Sequence, residues 1–329
     1  MSRLARMSAW LLLGLATGLG IGQAAAACVV GSAQPADFGS VGSITLRTTA
    51  QATSTYNAGI HCSGGVVQPW GAADTYFRVT FNSANGGLKR ADDLLNYQLY
   101  ASADSASNTA LLPEAALDLA GLGVVDAVGL LHNSGGNVMP LYLTLAAGSN
   151  VAAGSYADTI SLVWEWRYCT AGAGSGTCSL YDEGRGIASF PVNLVVQNDC
   201  TIDAADLDFG SAVLPSGFAT ASGEIRVACT KGSAYSVGLD DGRNLLAGRR
   251  NMRSAQGALL AYDVFQGAGS LRWGSVGAQR RDSMGADVNP ALGLGVAKQV
   301  FNYNAKIYAD QGPVPAGSYV DTILIDVAF

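Results

Sequence analysis

Hydrophobic and polar residues alternate along much of this chain. Ile160, Leu162, Trp164 and Trp166 interleave with Ser161, Val163, Glu165 and Arg167, and Phe190, Val192, Leu194 and Val196 with Pro191, Asn193, Val195 and Gln197. A period of two sends successive side chains to opposite faces of a strand, so one face of each run is buried and the other is wet. Turn clusters at Asn85-Gly86-Gly87, Asn133-Ser134-Gly135-Gly136 and Gly312-Pro313 separate the runs. No stretch sustains a helical period. The pattern predicts an all-β chain with strands near 54–62, 76–82, 94–100, 138–146, 156–168 and 187–197 in its first half, folded as an immunoglobulin-like β-sandwich. Trp164 and Trp166 fall on the inward face and are expected in its core.

The pattern occurs twice. Ala153-Gly154-Ser155-Tyr156-Ala157-Asp158-Thr159-Ile160 returns as Ala316-Gly317-Ser318-Tyr319-Val320-Asp321-Thr322-Ile323, an offset of 163. Leu94-Leu95-Asn96-Tyr97 returns as Leu259-Leu260-Ala261-Tyr262, Cys62 as Cys229, and Phe38-Gly39 as Phe209-Gly210. A period this long means tandem domains rather than a solenoid. Two sandwiches are expected, over 27–198 and 199–329, joined near Asn198-Asp199. Tyr156 and Tyr319 are expected as packed corner residues, with Asp158 and Asp321 in local turn or backbone hydrogen bonds.

The copies differ in how they finish. The first passes through a hairpin into one more strand at 187–197. The second runs to Phe329, with Ile323, Ile325, Val327 and Phe329 alternating against Thr322, Leu324, Asp326 and Ala328. No neighbour within the chain is expected beside that last strand, so the second sandwich is read as lacking its final strand. An unpaired apolar edge is an aggregation hazard. Its expected resolution is a strand donated by another chain.

Composition narrows the function classes. With 329 residues, a net charge of -6, 49% hydrophobic and 13% charged residues, the chain is neither a strongly basic nucleic-acid binder nor a disordered polar segment. Arg3 and Arg6 precede an apolar run at 9–21 and a small-residue stretch at 24–27. This reads as a secretory signal over 1–26, cleaved after Ala26 and too short to span a bilayer. No second run is long enough for a membrane span. In an exported chain the six cysteines read as disulfides, paired by spacing as Cys28–Cys62, Cys169–Cys178 and Cys200–Cys229. Zinc is disfavoured because no C-x-x-C pair occurs. Catalysis is not expected. Gly172-Ala173-Gly174-Ser175-Gly176 lacks the third glycine of a dinucleotide fingerprint, and neither His61 nor His132 accompanies a nucleophile motif. Asp92-Asp93, Asp240-Asp241 and Asp206/Asp208 read as solvated turn acids, so no cofactor or metal is expected.

Cys200, Leu207-Asp208-Phe209-Gly210, Val227-Ala228-Cys229-Thr230, Tyr235, Arg249 and Arg253, Leu260-Ala261-Tyr262, Trp273-Gly274 and Gly317-Ser318-Tyr319-Val320-Asp321-Thr322 follow one another in the second copy. In that order and spacing they resemble the spore coat protein U domain of archaic chaperone-usher pilus subunits. The first copy matches more loosely, through Cys28, Phe38-Gly39, Cys62 and the segment 155–159. The resemblance implies sandwiches completed by the N-terminal extension of the next subunit. It also implies a periplasmic chaperone that engages Ile323, Ile325, Val327 and Phe329, and an outer-membrane usher. Cleavage after Ala26 leaves Ala27 directly before Cys28, so no donor extension is expected in this chain. A subunit that accepts a strand and gives none belongs at a fibre's end. That resembles a two-domain tip adhesin at the cell surface, attaching a pilus to an abiotic or host surface and promoting biofilm formation.

Antiparallel order places loops 63–75, 101–137 and 169–186 at the pole far from the second domain. Their apolar residues are the candidate surface contacts: Val66, Val67, Pro69 and Trp70; Leu122, Val124 and Val125; Tyr168, Leu180 and Tyr181. The competing reading folds Val66, Val67 and Trp70 back as a satellite core and makes 122–125 an ordinary extra strand. Two other functions remain open at this stage: a structural coat or shaft protein without a specific ligand, and a lectin that stacks sugars on Trp70, Tyr168 and Tyr181.

Overall fold

The two alternating runs become the two longest strands. A computed structural model describes residues 27–63, 74–123, 125, 130, 137–171, 178 and 180–329. The proposed signal segment 1–26 lies outside the described residues, as do Val66, Val67, Pro69, Trp70, Val124 and His132. In chain order the first half forms β1 (Ala27–Val30), β2 (Ala36–Gly42), α1 (Ser43–Thr48), β3 (Gln51–Thr55), β4 (Ile60–Ser63), β5 (Tyr76–Ser83), β6 (Leu88–Arg90), β7 (Asp93–Leu95) and β8 (Tyr97–Tyr100). It continues with β9 (Ala110–Leu111), β10 (Leu117–Asp118), β11 (Asn137–Val138), β12 (Leu141–Leu145), β13 (Gly154–Ala171) and β14 (Leu180–Gln197). The main sheet has the order β10-β5-β13-β14-β2, facing a second sheet β3-β12-β8-β9, with β1-β4-β11 as a third. Inward side chains of all three meet in one core that includes Ile60, Phe77, Leu143, Ile160, Trp164 and Phe190. Trp164 and Trp166 are both buried, on the face the alternation assigned.

Two expected segments are redrawn. The run 54–62 is broken between β3 and β4, because Gly59 takes a left-handed φ of 83° and Ala58 turns its N–H to the Met139 carbonyl. Residues 180–186, expected as loop, instead begin β14. The expected strand began only at Ile187, but the glycines ahead of it clear space: a Cβ at Gly184 would lie 2.3 Å from Trp166 Cζ2, and one at Gly186 would lie 2.6 Å from Val30 Cβ. Glycine weakens strand propensity unless a neighbour occupies the vacated space. Trp166 and Val30 do so.

The second half forms β15 (Cys200–Ala204), β16 (Ala221–Cys229), β17 (Ser236–Leu239), β18 (Arg250–Ser254), β19 (Leu259–Gln266), β20 (Arg281–Asp282), β21 (Gln299–Ile307), β22 (Tyr319–Val320) and β23 (Ile325–Ala328). One sheet runs β15-β16-β21-β19-β18-β22 and the other β20-β17-β23. A separate core gathers Val227, Tyr235, Val237, Tyr262, Trp273 and Phe301. The last strand does have a neighbour in the chain, contrary to the expectation above. β23 pairs antiparallel with β17, Leu239 opposite Ile325 and Val237 opposite Val327. Four-residue β17 is too short for its period to stand out. On its other side β23 has no partner strand among the described residues.

All three expected disulfides form. Cys28 faces Cys62 across β1 and β4, and Cys200 faces Cys229 across β15 and β16. The same staple thus opens each domain. Only Asn198 and Asp199 separate β14 from β15. The junction is fastened by the Lys231–Asp93 ion pair at 2.6 Å, by the Ser43 and Thr230 hydroxyls at 2.7 Å, and by Arg47 and Asn150 donating to the carbonyls of Gly295 and Leu294. Among the described residues no helix is long and apolar enough to cross a membrane.

Candidate functional site

Two places were candidates from sequence: the far pole of the first domain and the last strand of the second. At the far pole the apolar residues divide. Tyr168 is buried, and its hydroxyl donates to Asp182 Oδ2 at 2.6 Å. Burial, reinforced by that carboxylate, pushes the phenol well above its ordinary pKa. Tyr168 is therefore a core residue and not a surface contact or a sugar platform, because it lies on the inward face of β13. Val125 is likewise fully buried in the first core, with Leu130 beside it, and Leu122 packs partly buried against the same core. Leu180 remains 53% exposed. Tyr181 is half-buried, with the Arg167 guanidinium 4.3 Å from its ring centre. Alternation missed Ile187, which stands 62% exposed on the outer face of β14.

The last strand lies beside a groove, and the first domain explains its shape. There β14 lies between β13, antiparallel, and β2, parallel. Its inward residues Ala188, Phe190, Val192, Leu194 and Val196 are all buried. In the second domain the matching place is a groove of about 480 Å³. Leu207, Phe209, Ile225, Tyr303, Ile323 and Ile325 line it. Of the four terminal residues expected to meet a partner, Ile323 and Ile325 line the groove, Val327 packs on the core, and Phe329 is exposed.

Each wall of the groove has a counterpart in the complete domain. Gly39 and Gly210 share a φ of 73° and donate to Asp37 and Asp208, each at 2.8 Å. Residues 207–213 nevertheless form no strand, whereas β2 does. A strand is defined by its ladder partner, and here the described residues provide none. Tyr156 donates to the Ala152 carbonyl and Tyr319 to the Pro315 carbonyl, both at 2.7 Å and both four residues upstream. This is the tyrosine corner of immunoglobulin-like sandwiches, as the repeat predicted. The two aspartates reach further than local turns. Asp158 accepts from the Tyr97 hydroxyl at 2.6 Å and Asp321 from the Tyr262 hydroxyl at 2.8 Å. Both phenols are pushed up, first by burial and then by these carboxylates.

Arg250 braces the groove from behind. Fully buried on β18, it donates to Asp263 at 2.6 Å and to the Leu239 and Trp273 carbonyls at 3.1 and 2.8 Å. It thereby ties one sheet to the end of β17 in the other. Burial, and then neighbouring Arg272, lower its pKa, opposed by the Asp263 charge. Asp240, whose carbonyl Arg250 also holds, accepts from the Leu324 N–H at 2.8 Å just before β23. No metal-ligand cluster of three or more His, Cys, Asp or Glu occurs among the described residues.

The filled groove and the open one belong to two copies of a single domain type. A sequence model of the Spore Coat Protein U domain matches residues 21–162 and again 187–326. The chain belongs to the Spore Coat Protein U domain family. The fold of this Spore Coat Protein U chain is similar to a chain in the CsuC–CsuE chaperone-tip adhesion subunit pre-assembly complex, from archaic chaperone-usher Csu pili of Acinetobacter baumannii. The TM-score is 0.61 at 24% identity, covering 92% of this chain and 100% of that one. A chaperone-tip adhesin complex of CFA/I fimbriae matches at 14% identity with a TM-score of 0.28, over 91% of this chain and 96% of that one. CfaE, the adhesive subunit of CFA/I fimbria of enterotoxigenic Escherichia coli, matches at 12% with a TM-score of 0.27, over 92% and 81%. The backbones of those two are too distant to bear on this one. No curated protein is matched by sequence. Within the Spore Coat Protein U repeats, the long-range Tyr–Asp pairs escaped sequence reasoning. The recurrence of Tyr97 with Asp158 as Tyr262 with Asp321 was the available signal.

Proposed function

We propose that this chain is the adhesive end subunit of a fibre built as archaic chaperone-usher pili are built. One observation carries the reading: β14 fills the groove of the first domain, while the same groove in the second stands open beside β23. A strand from the next subunit would complete the second domain by β-augmentation. Before assembly a periplasmic chaperone would cover that groove and engage Ile323, Ile325 and Val327, and an outer-membrane usher would receive the complex. The first domain, already complete, would face outward at the cell surface and make the contact that leads to attachment and biofilm.

In this reading the contact surface comprises exposed Leu180, the rim of Tyr181, and Val66, Val67, Pro69, Trp70 and Val124. Burial of Tyr168, Val125 and Leu130 favours a second reading, a coat or shaft protein without a ligand, because it shrinks the apolar surface at the far pole. The deciding experiment replaces Val66, Val67 and Trp70 together by serine in the exported chain and measures attachment of bacteria bearing the fibre. Loss of attachment with unchanged fibre number supports the adhesin. Unchanged attachment supports the coat protein. Deleting 325–329 should abolish chaperone co-purification.

A further inference from the structure

In the first domain the Asp158 carboxylate is saturated. It accepts from the Ser83 hydroxyl, from the Tyr97 hydroxyl at 2.6 Å, and from the Asn85 and Thr159 N–H groups at 3.0 and 2.8 Å. Val192 of β14 lies directly opposite and is buried with it. A valine suits that place because the acid beneath needs no further donor.

Asp321 occupies the same place in the second domain and among the described residues accepts two hydrogen bonds, from the Tyr262 hydroxyl at 2.8 Å and the Arg243 N–H at 2.9 Å. Register explains the deficit. Phe81 pairs with Leu162 and Leu239 with Ile325, so two residues further on Ser83 and Asp241 hold equivalent positions. Asp241 has no hydroxyl to give and turns to Arg272 at 2.8 Å. Asp321 also lines the open groove. A carboxylate has about four acceptor sites, so whatever seals the groove buries one that is half satisfied. An apolar cover would leave that capacity unmet, which is costly.

We propose that Asp321 selects the strand that fills the groove, through a hydrogen-bond donor side chain, Thr, Ser or Asn, at the place Val192 holds in β14. The proposal rests on the strand-acceptor reading above and adds a chemical requirement to it. Directly opposed residues of an antiparallel pair share a face, with Cβ atoms about 5 Å apart, within reach of a threonine hydroxyl. The other inward positions follow β14 by register. An Ala188-like residue faces Ile325, a Phe190-like residue faces Ile323, and a Leu194-like residue faces Tyr319. The incoming strand is thus mostly apolar, with one polar residue at its centre.

The test uses the full exported chain and two synthetic peptides. One has the sequence of residues 187–197, and the other differs only by threonine in place of Val192. Dissociation constants are measured for the wild type, Asp241→Ser and Asp321→Val. The threonine peptide should bind the wild type roughly tenfold more tightly. The preference should vanish in Asp241→Ser, where the missing hydroxyl returns, and reverse in Asp321→Val. Equal affinities in the wild type overturn the proposal and leave the strand-acceptor reading standing. Binding of neither peptide overturns both.

Discussion

The two domains share a disulfide-stapled opening, a tyrosine corner and a Tyr–Asp pair, and they differ in whether one strand is present. In the first, β14 presents five buried side chains and the core is closed. In the second, the groove residues Leu207, Phe209, Tyr319, Ile323 and Ile325 are only partly covered. The corner and the staple therefore do not depend on the final strand, whereas the ladder at 207–213 does. The second domain adds a buried polar brace: Arg250, paired with Asp263 on the neighbouring strand of its own sheet, reaches the Leu239 carbonyl at the end of β17 in the other. Both domains have an apolar core, and the second adds a buried ion pair with hydrogen bonds where the first has its last strand.

That contrast can be broken from either side. Arg250→Ala should have the largest effect, about 3 to 5 kcal/mol from the second domain, because it leaves the Leu239, Asp240 and Trp273 carbonyls without their donor and Asp263 with Arg272 as its remaining cation. Denaturant unfolding followed by hydrogen exchange would assign the loss to one domain. Phe190→Ala should cost the first domain a similar 3 to 5 kcal/mol through the cavity it leaves, and leave exchange in the second unchanged. Replacing Cys28 and Cys62 by serine, or Cys200 and Cys229, should each cost roughly 3 kcal/mol, read as a lower midpoint of the affected domain. Tyr97→Phe should cost about 1 to 2 kcal/mol, since Asp158 is sealed beneath β14, and Tyr262→Phe less, since water reaches Asp321 while the groove is open. Smallest of all, Leu180→Ser should move stability by under about 0.5 kcal/mol while weakening attachment. Unchanged attachment would remove Leu180 from the contact surface.

Much of this was legible in the sequence where the signal was local or repeated. Alternation located β13 and β14 and put Trp164 and Trp166 inside. The recurring Gly-Ser-Tyr-x-Asp-Thr segment announced both tyrosine corners. What stayed hidden depended on partners distant in the chain. Gly184 and Gly186 read as loop because the Trp166 and Val30 side chains that fill their space are not adjacent in sequence. Tyr168, the last residue of the expected strand, looked like part of the loop rim because β13 continues beyond it to Ala171. β23 looked solitary because its partner β17 is four residues long.

The brevity of the connection between the domains has a mechanical consequence. β14 begins at Leu180, beside the Cys169–Cys178 staple, and runs 18 residues to Gln197, with only Asn198 and Asp199 between it and β15. At about 3.3 Å per residue this is a strut of roughly 60 Å that is already extended. Tension applied between the hairpin end and the second domain finds no slack along it. The load passes through covalent bonds, and the hydrogen-bonded ladders on either side are spared.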